Sequence, residues 1–169
     1  PSNIMLVAAM NPCPCGYYGT ENHSCTCSET RRQQYMNRIS GPMMDRIDLH
    51  VHLEDVSWDE LTNSDKGESS AEILKRVVAA RKLQAERYAG LDFDTNSNIP
   101  AKYMGKFCKV TPKGTQILKK VFDNMNLSAR SYDKVLKVAR TIADLEGEET
   151  INEMHILEAV QYRDMDREI

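Results

Sequence analysis

Four of the chain's five cysteines lie within fifteen residues, as Cys13-Pro14-Cys15 and Cys25-Thr26-Cys27. The two thiolates of each Cys-x-Cys pair lie close enough to bind one ion, and two such pairs supply the four ligands of a closed, structural zinc site. Turn-forming residues such as Gly16 and Gly19 can bring the two pairs together. The spacing therefore predicts a structural Zn²⁺ site whose ligands are Cys13, Cys15, Cys25 and Cys27.

Other uses of these cysteines stay open at the level of sequence. An iron–sulfur cluster takes the same four-cysteine ligand set, and His23 could replace one sulfur. The thiols could also form a redox disulfide or remain free and buried. A disulfide framework usually distributes its cysteines along the chain, whereas here four are bunched and Cys108 stands alone. The bunching favours metal ligation.

Three polar residues outside this cluster could take part in phosphate chemistry. Asn11 follows the apolar run 4–9, and a polar side chain at the carboxyl end of a parallel strand faces the ligand crevice of an open α/β sheet. Arg46 lies between two acids, so a surface ion pair is its simplest interpretation. Arg130 lies in the first turn of a capped helix, where the helix dipole disfavours a cation, and this indicates an anionic partner.

The elements that must position these residues fall into two parts. The continuous apolar run 4–9 predicts a strand buried on both faces, and the alternating run 48–54 predicts a half-buried strand. Between them, Ser40-Gly41-Pro42 predicts a turn that opens a short helix leading to Arg46. The polar, breaker-rich stretch 62–69 predicts a domain boundary.

After this boundary the sequence predicts helices only. Their starts are marked by residues that cap helices or begin them, namely Ser69 with Glu72 as a capping box, Pro100, Thr111 followed by Pro112, Ser128, and Asn152. The first helix is expected to reach about Tyr88 with Ile73, Leu74, Val77, Val78 and Ala85 on its apolar side. The helix after Ser128 has the clearest helical spacing of apolar residues and is expected to end at Gly147.

Composition describes an ordinary globular chain of 169 residues, with 41% hydrophobic and 28% charged residues and a net charge of −3. This net charge gives no overall basic signature, so a nucleic-acid contact must come from a local patch. Arg31-Arg32 and the face Lys134, Lys137, Arg140 could contact a phosphate backbone, although a solvated face is the more usual role of such residues.

Two further absences narrow the class of function. No apolar run reaches the roughly 18 residues that a membrane helix needs, and the first residues lack the features of a signal peptide. We therefore expect a cytoplasmic protein without a membrane partner. The sequence contains no Gly-x-x-x-x-Gly-Lys-Ser/Thr loop, so it has no means of cradling nucleotide phosphates.

Three motifs, taken in order, resemble one family. They are VAAMNPCPCGYYG, followed by the second Cys-x-Cys pair, then RISGPMMDRIDLHV, and later LSARSYDKVLKVARTIADLEG. This succession is similar to the magnesium-chelatase-related AAA+ ATPases, in particular their ComM/YifB type. The resemblance covers nearly the whole chain and lacks the family's amino-terminal portion, which carries the Walker A loop and Walker B acids.

The resemblance implies a fold and a division into domains. Residues 1–61 would be the C-terminal part of an AAA+ α/β core with the zinc knuckle inserted, and residues 62–169 would be the all-α helical lid domain. It also implies roles for the three polar residues. Asn11 falls at the sensor-1 position, Arg46 resembles an arginine finger, and Arg130 matches sensor 2.

The implied activity belongs to the longer parent protein. It would hydrolyse ATP with Mg²⁺ in a ring of subunits, a hexamer by this resemblance, coupled to DNA processing such as branch migration or helicase action. The chain's partners would be its own upstream ATPase core, neighbouring subunits and DNA. Alone, it is expected to be inactive as an ATPase. Two alternatives remain: a chelatase-type metal-insertion motor, and a zinc-stabilised binding module.

Overall fold

The computed structural model describes residues 4–20, 23–53, 56, 58, 62, 67–125 and 127–163. The α-helices whose two ends lie within these residues are α1 Glu29–Met36, α2 Gly41–Met44, α3 Ser70–Arg87, α4 Met104–Phe107, α5 Pro112–Met125, α6 Ala129–Glu146 and α7 Glu153–Gln161. Two 3-10 turns, Asn96–Asn98 and Ala101–Tyr103, connect α3 to α4. The described part of the chain is therefore mostly helical.

Helix α6 is central to the hydrophobic core. It packs against α3, α7 and the 3-10 turn Asn96–Asn98, while α7 also packs against α5. Its apolar side chains recur at helical spacing and are buried, namely Val135, Leu136, Ala139, Ile142 and Ala143. The helix that the sequence predicts most clearly is thus the one that organises the core.

The predicted helix ends agree well with the capping groups. Ser128 Oγ accepts the Ser131 amide at 3.1 Å at the start of α6, and Gly147 ends this helix with a left-handed φ of 77°. Asn152 forms a reciprocal capping box with His155 at the start of α7. At α3, Ser69 Oγ accepts the Glu72 amide at 3.3 Å, but the Glu72 carboxylate pairs with a lysine one turn on.

The two predicted strands are not confirmed in the described residues, which form a single isolated bridge between Val110 and Ile151 and no strand. Ile4 and Val7 are 75% and 82% exposed, and Leu53 is 83% exposed. A strand is defined by hydrogen bonds to a neighbouring strand, and the described residues contain no strand beside these segments. The α/β character expected of residues 1–61 therefore remains a prediction.

The predicted apolar side of α3 is also exposed. Ile73, Leu74, Val77 and Val78 are all exposed, and the helix buries only Ala80 and Gln84. The helix was predicted correctly, and within the described residues no other element covers its apolar side. The predicted domain boundary near 61–62 falls in a stretch that lies largely outside the described residues. In the part of the chain that the model describes, no helix is long and apolar enough to cross a membrane.

Candidate metal centre and arginine site

The four clustered cysteines converge in the structure. Their Sγ atoms all lie within 4.8 Å of one another, and Cys13 Sγ lies 3.3 Å from Cys15 Sγ and 3.7 Å from Cys25 Sγ. Four sulfurs placed tetrahedrally at about 2.3 Å from a zinc ion are about 3.8 Å apart. The arrangement can therefore hold one metal ion such as Zn²⁺.

Local backbone geometry explains how the two pairs meet. Gly16 donates its amide to the Cys13 carbonyl at 3.0 Å and has a φ of 88°, a left-handed conformation that favours glycine. This turn doubles the chain back after the first pair. The second pair leads directly into α1, where Ser28 Oγ accepts the Arg31 amide at the helix start. The cysteine loop and α1 thus form one local unit, which we call the knuckle (residues 13–36).

The electrostatics of the sulfurs suit a bound cation. A hydrogen bond from the Tyr17 amide lowers the pKa of Cys15 to about 5, while burial raises the pKa of Cys27 to about 11. The thiolate is the form that binds metal. Protons on the remaining thiols must be displaced when an ion enters, so metal affinity should fall at acidic pH.

The alternatives left open by the sequence can now be weighed. The sulfur separations exceed the about 2.05 Å of a disulfide bond, and all five cysteines are free thiols. Sulfurs this close together could hold a single ion such as Zn²⁺. His23 is not among the converging ligands; its ring stacks on Tyr17 at a centroid distance of 4.8 Å.

Arg32 carries positive charge next to the sulfurs. Its guanidinium donates to the Cys27 carbonyl at 3.0 Å, pairs with Glu29, and lies over the Tyr18 ring at 4.4 Å from its centroid. Four thiolates around a divalent cation leave excess negative charge, which an adjacent guanidinium offsets. Sequence reasoning treated Arg32 as a surface residue and missed this contact.

The predicted arginine-finger segment, residues 41–50, packs against the helical part of the same chain. Asp45 is the centre of this contact: its carboxylate accepts the Ser131 hydroxyl at 2.7 Å and lies 3.3 Å from Arg130 and 3.5 Å from Arg163. The hydrogen bond from Ser131, followed by the two arginines, holds the pKa of Asp45 below its usual value despite partial burial.

Backbone contacts extend the attachment along the segment. Lys134 Nζ donates to the Arg46 carbonyl at 2.6 Å and pairs with Asp48 at 2.9 Å. The buried Arg163 donates to the Ile47 carbonyl at 2.7 Å. Beyond these, the His50 amide donates to the Tyr162 carbonyl at 2.9 Å. The segment is therefore fixed to α6 and to the end of α7.

The structure brings two of the three predicted phosphate-chemistry residues together. Arg46 directly follows Asp45 in the chain, and its exposed guanidinium donates to the Pro42 carbonyl at 2.6 Å. Arg130 pairs with the Asp45 carboxylate and is 58% exposed. Arg130 borders an open groove of about 410 Å³ that Arg46 does not line; its other lining residues are Gly41, Pro42, Asp45, Met125, Leu127, Ser128 and Ser131.

Asn11 is not part of this arrangement. Its side chain is exposed, and its amide nitrogen would lie 3.7 Å from a Cβ added at Gly16 in the knuckle. Among the described residues, no hydrogen bond or ion pair joins Asn11 to Arg46 or Arg130. The structure therefore leaves the role of Asn11 untested.

Two functional contacts differ from the sequence interpretation. Asp45 and Asp48 were taken as the partners of Arg46, but they pair with Arg130, Arg163 and Lys134. The partner Arg163, which lies in the turn two residues after the end of α7, was missed. The basic face predicted on α6 (Lys134, Lys137 and Arg140) cannot contact a phosphate backbone as a whole, because Arg140 has no exposed surface.

Two protein-family models match this chain. The model for "magnesium chelatase, subunit ChlI C-terminal" matches residues 67–163, more than half of the chain, and the model for "magnesium chelatase, subunit ChlI" matches residues 1–61. The chain belongs to the magnesium chelatase subunit ChlI family. This confirms the resemblance inferred from the three motifs.

Individual relatives of this ChlI-family chain extend the comparison. It is 40% identical to "Competence protein ComM" of Haemophilus influenzae over 99% of its length. It is 39% identical to "Uncharacterized protein YifB" of Salmonella typhimurium and of Escherichia coli, again over 99% of its length. In each case the chain spans 32% of the relative.

The cysteine cluster leads to a direct prediction. The purified chain should bind about one equivalent of Zn²⁺. Cys13→Ser should lower the bound zinc to well below half an equivalent, because three ligands no longer close the site. Metal analysis by mass spectrometry gives the zinc content of each protein, and thiol titration gives its reactive cysteines. Cys108→Ser is the matched control, since Cys108 is buried far from the cluster in the helical core, and it should retain the metal. Freely reactive thiols and little zinc in the unchanged chain would contradict a closed site.

Proposed function

We propose that this chain is the C-terminal part of a magnesium-chelatase-like AAA+ ATPase of the ComM/YifB type, in which it contributes to ATP hydrolysis coupled to DNA processing. Membership of the ChlI family supports the ATPase assignment. The identity to a protein named as a competence protein supports the DNA role. Because the chain spans 32% of these relatives, ATP and Mg²⁺ would bind only in the longer protein.

The attachment of Asp45 and Arg46 to the helix that carries Arg130 is the observation that carries the catalytic proposal. An exposed guanidinium held on a fixed backbone is suited to stabilising the charge of a phosphoryl-transfer transition state. Arg46 would act as the arginine finger and reach the nucleotide of the neighbouring subunit. Arg130 would act as sensor 2 and contact a γ-phosphate.

Asp45 would hold Arg130 at the groove before a nucleotide binds. Its carboxylate lies 3.3 Å from the Arg130 guanidinium and offsets part of its positive charge. When a γ-phosphate enters, Arg130 can exchange its exposed contact with Asp45 for the phosphate. Asp45 would still retain Ser131 and Arg163, so the segment would stay attached during this exchange.

The N-terminal segments would complete an α/β core. Ile4, Val7, Leu49, Val51 and Leu53 are exposed apolar residues in the described chain, and pairing with strands of the upstream core would bury them. Asn11 would then lie at the carboxyl end of its strand and orient the attacking water as sensor 1. Residues 62–169 would be the lid domain. The cysteine cluster would hold a structural Zn²⁺.

The parent protein would assemble as a ring, most simply a hexamer, because a finger acting in trans requires a neighbouring subunit at every site. Its partners would be its own upstream core, neighbouring subunits and DNA, and it would act in the cytoplasm. A metal-insertion motor is the second candidate. It is favoured by the name of the matched family models, which is that of a chelatase subunit.

ATP turnover of the full-length protein that contains this chain tests the proposal. We expect Mg²⁺-dependent hydrolysis that single-stranded or branched DNA stimulates several-fold, and no hydrolysis by the 169-residue chain alone. A protein that hydrolyses ATP but responds to a tetrapyrrole and not to DNA would favour the metal-insertion motor. Absence of hydrolysis by the full-length protein would reject both motors and leave the zinc-stabilised binding module.

A further inference from the structure

One side of α1 and of the turn that follows it combines positive charge with an aromatic ring. Arg31, Gln34 and Tyr35 lie on one side of the helix, and Arg38 lies in the turn, two residues after the helix ends. Together with Pro14 of the cysteine loop they line a groove of about 360 Å³. We call this the knuckle groove.

The charges in the knuckle groove are available to a ligand. Within the described residues, neither Arg31 nor Arg38 forms an ion pair with a carboxylate, and both are exposed. The nearby acid Glu29 pairs instead with Arg32, whose guanidinium is directed to the Cys27 carbonyl. Arg32 therefore offsets charge at the sulfurs, while Arg31 and Arg38 keep their positive charge for the groove.

The spacing of the two arginines suits an extended polyanion. The helical part between them, from Arg31 to Met36, rises about 7.5 Å along the axis, so Arg31 and Arg38 are placed for different phosphates of one strand rather than for a single phosphate. Between them lies Tyr35, a half-buried ring with the Arg38 guanidinium 6.0 Å from its centroid. A ring between two cations is the combination that binds an unpaired base and its flanking phosphates.

The cysteine cluster makes this groove rigid. Pro14 lies between the ligands Cys13 and Cys15, and α1 begins two residues after Cys27. A metal ion held by these sulfurs would therefore fix both walls of the groove at once. A preformed groove loses less conformational entropy on binding than a mobile one.

We propose that the knuckle groove binds single-stranded nucleic acid, with Arg31 and Arg38 on two phosphates and Tyr35 stacked on a base between them. This inference specifies the DNA contact within the proposed function. A single strand is favoured over a duplex because only an unpaired base exposes its face to Tyr35. The groove contacts phosphates and ring faces, which DNA and RNA share, so both strands are candidate ligands.

The test uses the zinc-loaded 169-residue chain and fluorescein-labelled dT20 and rU20, read by fluorescence anisotropy between 25 and 200 mM salt. Arg31→Gln with Arg38→Gln should weaken binding at least tenfold and reduce the salt slope by about 1.4, because each phosphate contact to a single strand contributes about 0.7. Tyr35→Leu should weaken binding about fivefold or more and leave the salt slope unchanged, since stacking carries no counterion release.

The matched control removes two positive charges elsewhere. Lys119→Gln with Lys120→Gln on α5 changes net charge equally at two exposed residues and should preserve both affinity and slope. Zinc content and helicity of each variant report its folding.

Three results would each overturn the proposal that the knuckle groove binds a single strand. They are equal weakening by both double variants, tighter binding of a 20-base-pair duplex than of either strand, and no binding by the unchanged chain. Failure of the knuckle-groove proposal would not reject the proposed ATPase function, because DNA could stimulate turnover of the full-length protein through another surface.

Discussion

Arg46→Ala in the full-length protein should lower ATP turnover by about 10³-fold or more, within the range of about 10³–10⁵ that arginine fingers contribute in related phosphoryl-transfer enzymes. The substitution removes an exposed guanidinium whose structural contact is the Pro42 carbonyl. The backbone at Arg46 stays bound to Lys134. We therefore expect the loss in kcat and not in folding or nucleotide affinity.

The measurement is steady-state ATPase at saturating ATP and Mg²⁺, with nucleotide affinity measured separately. Arg81→Ala is the matched control, because it removes an exposed arginine from α3 and should leave turnover unchanged. Mixing Arg46→Ala subunits with subunits whose upstream Walker A lysine is replaced should restore part of the activity, since each defective type supplies what the other lacks across an interface. Near-normal turnover of Arg46→Ala would reject the finger assignment.

The second large expected effect is on stability, and it follows from removing the buried carboxylate of Asp144 at the end of α6. Arg87 forms two hydrogen bonds to it, one of them at 2.8 Å, and Arg140 lies 3.1 Å away with 1% of its side chain exposed. Asn96 donates to the same carboxylate at 2.8 Å. Burial lowers the pKa of Arg140, and Asp144 opposes this by favouring its charged form.

Asp144→Ala should therefore lower the free energy of unfolding by about 3–5 kcal/mol, because it leaves buried guanidinium charge uncompensated. A domain of this size has about 5–15 kcal/mol in total, so the loss is a large share. Urea unfolding at pH 7 measures it. Asp123→Ala, at an exposed carboxylate on α5, should change stability by less than about 0.5 kcal/mol. A loss below about 1 kcal/mol for Asp144→Ala would contradict the assigned network.

Helices were the part of the fold that sequence could predict, because their signals are local. Ser128 and Gly147 mark the ends of α6, and the apolar spacing between them matches its buried side. The same reasoning failed at Arg140, which was assigned to a solvated basic face and is buried. Asp144 lies one turn further along the same helix, but the carbonyls of Glu148 and Glu149 reach Arg140 only because the chain turns after α6.

At the candidate sites too, sequence could predict local contacts but not contacts between distant parts of the chain. The cysteine cluster could be predicted because its ligands lie within fifteen residues, a distance that turns can close. The pairing of Asp45 with Arg130 spans 85 residues and depends on tertiary packing that no local pattern encodes. The predicted strands required a partner sheet that the described residues do not provide, so their apolar pattern could not identify their structure by itself.

The attachment of residues 45–50 to α6 and to the end of α7 has a mechanical consequence. Asp45, Ile47 and His50 are each bonded to the helical part, so this segment follows the helices as one body. Any rotation of the helices carries Arg46 along the same arc. In the proposed ring, a hinge movement of a few degrees in one subunit would therefore withdraw or insert a guanidinium at the next, and the proposed lid would couple adjacent sites mechanically.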